Sequence, residues 1–228
     1  MVNLLQNVYI FTNASGAYDW GNYAVYGDWH WNEQYGRAEW SEAKEDEIER
    51  TEAVVCPVNP EHNRNRGVRI GDLVVVLPSP RIADFMWTWY YDCLITDRVR
   101  QLFEEAGLTG FTTRPVEVER VKRLRKGTQA NIPRLWELVV TGHAQAAKEM
   151  HIERERCDAC GYDRRLNDIT TGIMIDASTW DGSDFFKIVD INYRLATEAV
   201  RKVITENQLI NCSLVPAQFY HLKKHGFE

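Results

Sequence analysis

The spacing of apolar positions changes several times along this chain, and each change marks an element. Between residues 97 and 106 apolar side chains fall at Val99, Leu102, Phe103 and Ala106. That i, i+3, i+4, i+7 spacing predicts one buried helix face. Thr96 stands ahead of it as an N-cap, Asp97 lies in the first turn where the helix dipole favours negative charge, and Gly107 follows as the C′ residue. Residues 198–207 carry the same pattern behind Thr197, with Val200, Val203 and Ile204 apolar and Asn207 at the last position. Shorter apolar or alternating runs predict strands at 71–77, 85–91, 111–118, 172–176, 185–190 and 212–218. Residues 116–121 alternate and 136–140 are apolar apart from Glu137, which predicts an extended hairpin around the turn-rich stretch 122–133. The charged segment 42–52 reads as a short solvated helix. The first 40 residues are rich in aromatic side chains interrupted by glycines, so no helix is sustained there.

These elements recur at a constant offset. Residues 94–100 read LITDRVR and residues 195–201 read LATEAVR, with four of seven positions identical. At the same offset of 101, Cys56 faces Cys157, Gly71 faces Gly172, Phe85 faces Phe186, Leu108 faces Leu209 and Pro115 faces Pro216. An internal duplication is the expectation. The fold class that follows is α+β: two diverged copies of a strand–helix–strand unit with a period of 101, an additional hairpin, and an aromatic-rich N-terminal segment. The first copy with the N-terminal region would occupy 1–127 and the second 128–228, together forming one globular body.

Composition narrows the function. The net charge is −6, which argues against nucleic acid or an anionic membrane as the main partner. The N-terminus lacks the basic and apolar regions of a signal peptide, and no apolar run reaches membrane-spanning length. The expectation is a soluble, cytoplasmic protein. Five cysteines in such a compartment point to metal binding or free thiols rather than a disulfide framework.

The chemistry with the clearest spacing is Cys157-Asp158-Ala159-Cys160-Gly161. Two thiolates two residues apart at a tight turn, with glycine letting the backbone fold over the ion, supply half of a tetrahedral zinc site. The duplicated position reads Cys56-Pro57-Val58-Asn59, with His62 six residues after Cys56. The candidate ligand set is therefore Cys56, His62, Cys157 and Cys160, joined by the duplication, with zinc in a structural role.

A second cluster is Trp180-Asp181-Gly182-Ser183-Asp184. Two carboxylates beside a serine could share a proton or a metal. Asp-Gly is equally a turn dipeptide, and Ser183 and Asp184 can satisfy loop amides, so a structural loop is the preferred reading. No nucleophile elbow, phosphate-binding loop or HExxH spacing is present, and no catalytic residue is assigned.

Three segments carry a family likeness. CDACG at 157–161, TWDGSDFFKI at 179–188 and LITDRVRQLFEEAGLTGF at 94–111 together resemble the double-CxxCG motif family, bacterial proteins related to the immunity proteins of polymorphic and contact-delivered toxin systems. The likeness spans roughly 56–216, and the first CxxCG of the family reads CPVNP here. It implies a non-catalytic protein that binds and neutralises a cognate protein toxin, with a structural zinc knuckle. Trp29, Trp31, Trp180, Asp181 and Asp184 are the expected partner contacts, since aromatic residues are common interface anchors. Two alternatives accompany this reading: an enzyme or small-ligand binder using the N-terminal aromatic cluster, and a zinc-knuckle nucleic-acid module.

Overall fold

The computed structural model describes residues 7–12, 25–26, 38–41, 49–64, 69–88, 91–124, 127, 131–189, 191, 193–220 and 222. Strand–helix–strand units appear twice among them. In the first, β5 (Phe85–Trp87) and β6 (Cys93–Thr96) lead into α1 (Asp97–Glu105) and then β7 (Phe111–Val121). In the second, β13 (Phe185–Ile188) and β14 (Tyr193–Thr197) lead into α2 (Glu198–Glu206) and then β15 (Cys212–Pro216). Among the described residues, mixed sheets with two α-helices make the protein α+β or mostly β.

The helices form for the local reasons their spacing implies. In α1, Val99 and Phe103 are buried one turn apart, and the hydroxyl of Thr96 accepts the N–H of Val99. Ala106 is not part of the buried face; it is the exposed C-cap residue. Gly107, at φ 66°, donates to the carbonyl of Glu104, and Leu108 donates to that of Phe103. This paired closure places a left-handed residue at C′ and an apolar one at C″. α2 ends the same way, with Gln208 at φ 51° in the left-handed position and Leu209 bonded back to Ile204. Thr197 is the N-cap of α2 by position, but its hydroxyl donates to Asp184 instead of capping a helix amide.

Most strands pair in two large sheets. The first runs β12 (Ile175–Asp176), β9 (Gly142–Ala146), β13, β14, β1 (Val8–Thr12), β15 and β2 (Val25–Tyr26). The second runs β3 (Glu39–Trp40), β4 (Leu73–Leu77), β7, β8 (Leu135–Val140), β6 and β5. A separate ribbon pairs β10 (Arg154–Arg156) with β11 (Asp163–Arg165). Pairing crosses residue 127 in both directions: β8 joins the sheet of the first unit, and β1 lies between β14 and β15 of the second. The expected hairpin forms differently from the sequence pattern. Phe111–Pro115 pairs antiparallel with β8, whereas Val116–Val121 pairs in parallel with β4. Both stretches belong to one long strand, so 111–118 and 116–121 were never separate elements. In 42–52, residues 49–52 are not helical, and Arg50 is bridged to Arg69; residues 42–48 lie outside the described residues.

Strand alternation sends neighbouring side chains to opposite layers. Phe85, Ile95, Phe185 and Ala196 join Val99, Phe103, Val200 and Ile204 in a shared core. Their sequence neighbours Met86 and Leu94 face a second core on the far side of one sheet, and Phe186 and Leu195 face a third on the far side of the other. Phe85 pairs with Ile95 and Phe185 pairs with Ala196. By strand register, then, Phe85 corresponds to Phe185 and not to Phe186; one residue more is accommodated between β13 and β14. No helix among the described residues is long and apolar enough to cross a membrane.

Candidate metal centre

Two short, separately built loops meet at one point. The first is closed by backbone pairing of Val54 with Arg64. Within it the Asn63 side-chain oxygen accepts the N–H of Cys56 at 2.7 Å, and Pro60–His62 forms a single 3-10 turn. Asn59 caps that turn by accepting from Glu61 N–H at 3.0 Å. The second loop is the tip of the β10–β11 ribbon, where Cys157 N–H donates to the carbonyl of Tyr162 and Gly161 N–H donates back to the carbonyl of Cys157 at 2.8 Å. Gly161 has φ 66°, a value at which a Cβ is strained. Asp163 fastens the ribbon by accepting from Arg154 and Arg156 at 2.7 and 3.0 Å.

Cys56, His62, Cys157 and Cys160 converge there, with their donor atoms all within 4.8 Å of one another. This set could hold a metal ion. Cys56 Sγ stands 3.8 Å from Cys157 Sγ, and His62 Nδ1 stands 3.8 Å from Cys56 Sγ and 3.9 Å from Cys160 Sγ. A tetrahedral zinc ion with bonds of about 2.3 Å to sulfur and about 2.0 Å to nitrogen needs sulfurs about 3.8 Å apart and sulfur about 3.5 Å from nitrogen. These three separations lie within a few tenths of an ångström of that arrangement, and the whole set lies within 4.8 Å.

The surroundings hold the ligands in place. Asn59 N–H donates to Cys56 Sγ at 3.3 Å, and the Asn59 amide nitrogen lies 3.1 Å from His62 Nε2. The His62 ring stacks on Tyr162 with centroids 4.2 Å apart and planes 6° from parallel. Arg64 donates to the carbonyl of Cys160 at 3.0 Å, which ties the two loops together. Desolvation opposes ionisation of Cys56, but the N–H groups of Asn59 and Val58, with Cys160 and His62, prevail and bring its thiol down to about 6. A thiolate is the form that binds metal. The remaining cysteines are of another kind: Cys93 and Cys212 are fully buried, and burial pushes both thiols up.

Asn59, Tyr162 and Arg64 are site residues that spacing alone did not single out. Asn59 occupies the position of a second CxxC cysteine, and that coincidence was the available signal. Its side chain lies beside the histidine that takes the thiolate's place.

The Trp180–Asp184 loop is spent on structure. Asp181 accepts the N–H groups of Ser183 and His143 at 3.1 and 3.0 Å and the hydroxyl of Ser183. Asp184 accepts the N–H and hydroxyl of Thr109, both at 2.9 Å. The indole of Trp180 donates to the carbonyl of Ser183 and its ring packs against Phe186. Asp181 and His143 form an exposed pair at 3.2 Å, yet the buried Ser183 hydroxyl bonds the carboxylate and not the imidazole, so His143 is not placed to activate it. Trp29 and Trp31 lie outside the described residues.

No protein-family model matches the chain, and no curated protein matches it.

Proposed function

We propose that this protein is a non-catalytic immunity protein that binds and neutralises a cognate protein toxin, and that one zinc ion staples its fold. The observation that carries the zinc half is the convergence of Cys56 and His62 with Cys157 and Cys160, four donors from segments about a hundred residues apart, all within 4.8 Å of one another. Four protein donors fill a tetrahedral ion, leaving no position for substrate, which is the pattern of structural rather than catalytic zinc. The resemblance of 94–111, 157–161 and 179–188 to the double-CxxCG motif family supports the immunity half. Binding is favoured over catalysis because Asp181, Ser183 and Asp184 are committed to loop amides and hydroxyls.

The two strand–helix–strand units are read as diverged copies of one ancestral unit, with Cys56 and Cys157 as equivalent ligands. The matched helix ends, with Gly107 and Gln208 both left-handed, support that reading.

The test is capture of the tagged full-length protein from its native cells, followed by co-expression. A single partner held at one-to-one stoichiometry, toxic alone and harmless with this protein, is the expected result. Toxicity unchanged on co-expression would overturn it. The zinc half is tested separately by metal analysis: one zinc per chain is expected, and none bound after addition of zinc to reduced protein would overturn it.

A further inference from the structure

The three sulfurs of the metal centre do not sit alike in the fold. Cys56 is buried, whereas Cys157 and Cys160 are partly exposed at the ribbon tip. Cys56 Sγ and Cys157 Sγ stand 3.8 Å apart, and they join segments 101 residues apart in the chain. The centre therefore offers a small oxidant an open sulfur with a sheltered second sulfur directly behind it. Such a pairing of an accessible thiolate with a resolving one is the arrangement that oxidises to a disulfide rather than to higher acids. Cys93 and Cys212, fully buried in the shared core, cannot compete for the oxidant.

We infer that the centre is an oxidation-sensitive clasp, in which a hydroperoxide converts Cys56 and Cys157 into a disulfide and the metal ion is released. The inference rests on the zinc reading above. In the first step the Cys157 thiolate attacks one peroxide oxygen. The S–O bond forms, the O–O bond breaks, and the leaving hydroxide takes a proton to become water. In the second, the Cys56 thiolate attacks the sulfenic sulfur; the S–S bond forms and the S–O bond breaks, releasing a second hydroxide that takes a proton. Two thiolates, one hydrogen peroxide and two protons give one disulfide and two waters. The sulfurs are oxidised and the peroxide is reduced. Cys160 and His62 remain as two donors, too few to hold the ion against water. The join between the two segments survives, as a covalent bond in place of a metal bridge.

The experiment uses full-length, zinc-loaded protein treated with one equivalent of hydrogen peroxide. Zinc release is read with a chromophoric chelator, free thiols are counted, and non-reduced peptide mapping locates any disulfide. The expected result is one zinc released and two thiols lost per chain, with the peptides containing Cys56 and Cys157 linked and dithiothreitol restoring both thiols. Zinc retained with all thiols free would overturn the clasp and leave the zinc reading standing. A disulfide mapped to Cys157–Cys160, or sulfinic acid in place of a disulfide, would overturn it as well. If the protein binds no zinc but peroxide still links Cys56 to Cys157, the disulfide is upheld and the zinc reading alone fails. A Cys93→Ala variant, outside the centre, is expected to release zinc and lose two thiols as the parent does; a loss of the response would place the oxidation at the buried thiol and overturn the proposal.

Discussion

Asp84 and Asp184 reach across to each other's half of the molecule. The Asp84 carboxylate accepts the N–H of Ile210, just after α2, at 2.9 Å, and the Asp184 carboxylate accepts the N–H of Thr109, just after α1, at 2.9 Å. Backbone bonds run alongside, from Phe85 N–H to the Ile210 carbonyl and from Phe185 N–H to the Thr109 carbonyl. Each aspartate therefore fixes the exit of the other unit's helix. The Ile210 amide is partly buried and the Thr109 amide exposed, so Asp84→Ala should cost about 1–3 kcal/mol and Asp184→Ala about 0.5–1.5 kcal/mol. Asn in either position keeps an acceptor oxygen and should cost less. Urea unfolding of the four variants checks the order.

Close backbone approach makes Gly142 irreplaceable. A Cβ there would lie 1.9 Å from Ser183 Oγ and 2.3 Å from the carbonyl oxygen of Phe185. The serine could rotate, but the carbonyl belongs to β13 and cannot move without disturbing its ladder. Gly142→Ala is expected to destabilise by about 3 kcal/mol, the upper end of the usual cost of overpacking. Thermal unfolding with circular dichroism reads it; a midpoint equal to the parent's would refute the steric account.

The two helix ends give a matched pair of predictions. Gln208 holds the left-handed position that Gly107 holds in α1, and a side chain is strained there. Gln208→Gly should therefore stabilise by about 1 kcal/mol, and Gly107→Ala, which meets no atom within 4 Å, should destabilise by about 1 kcal/mol through backbone strain alone. Equal signs for the two substitutions would contradict this.

Arg69 and Glu137 form a nearly buried ion pair, with side chains 7% and 6% exposed, and Arg114 approaches the same carboxylate at 3.2 Å. Replacing Arg69 alone with Met leaves a buried charge poorly compensated and should cost about 3–5 kcal/mol. Replacing Arg69 and Glu137 together, with Met and Leu, should recover a large part of that loss. A double-mutant cycle in urea measures the coupling; strict additivity would show that the pair does not act as one unit.

Acid should weaken the fold through Asp97 and Asp163. The indole N–H of Trp136, then Arg100, holds the Asp97 carboxyl below its ordinary 3.8, and Arg154 does the same for Asp163. A carboxyl depressed in the folded state binds its proton more readily when unfolded. Its contribution is therefore complete above about pH 4 and disappears as pH falls through the folded value. Trp136→Phe should move the Asp97 titration upward, toward 3.8, in a carboxyl NMR titration. An unmoved titration would show that the indole bond contributes nothing.

Much of the local structure was legible in the sequence, and the reasons are local. Val99 and Phe103 one turn apart, Thr96 ahead and Gly107 behind specify α1 with little outside help. The CxxCG spacing made Cys157 and Cys160 a candidate, because a knuckle is built within five residues. Cys56 and His62 could be added only through the repeat. Illegible were β6 and β14, too short and too close to helices to register, and the ribbon Arg154–Arg156 with Asp163–Arg165, whose charged sequence carries no strand signal. Cross-strand ion pairs such as Arg164 with Glu155 line it.

What the sequence determined by itself was the set of elements bounded by caps, turns and apolar period, together with half of a metal site. Only the tertiary structure decided that Val116–Val121 lies parallel to β4, that β1 inserts between β14 and β15, and that Cys56 comes within 3.8 Å of Cys157. Helix period, capping and turn chemistry act between residues a few positions apart, so they are written along the chain. Strand partners and donor atoms a hundred residues apart are chosen by burial and backbone pairing summed over the whole core, and no short stretch of sequence contains that sum.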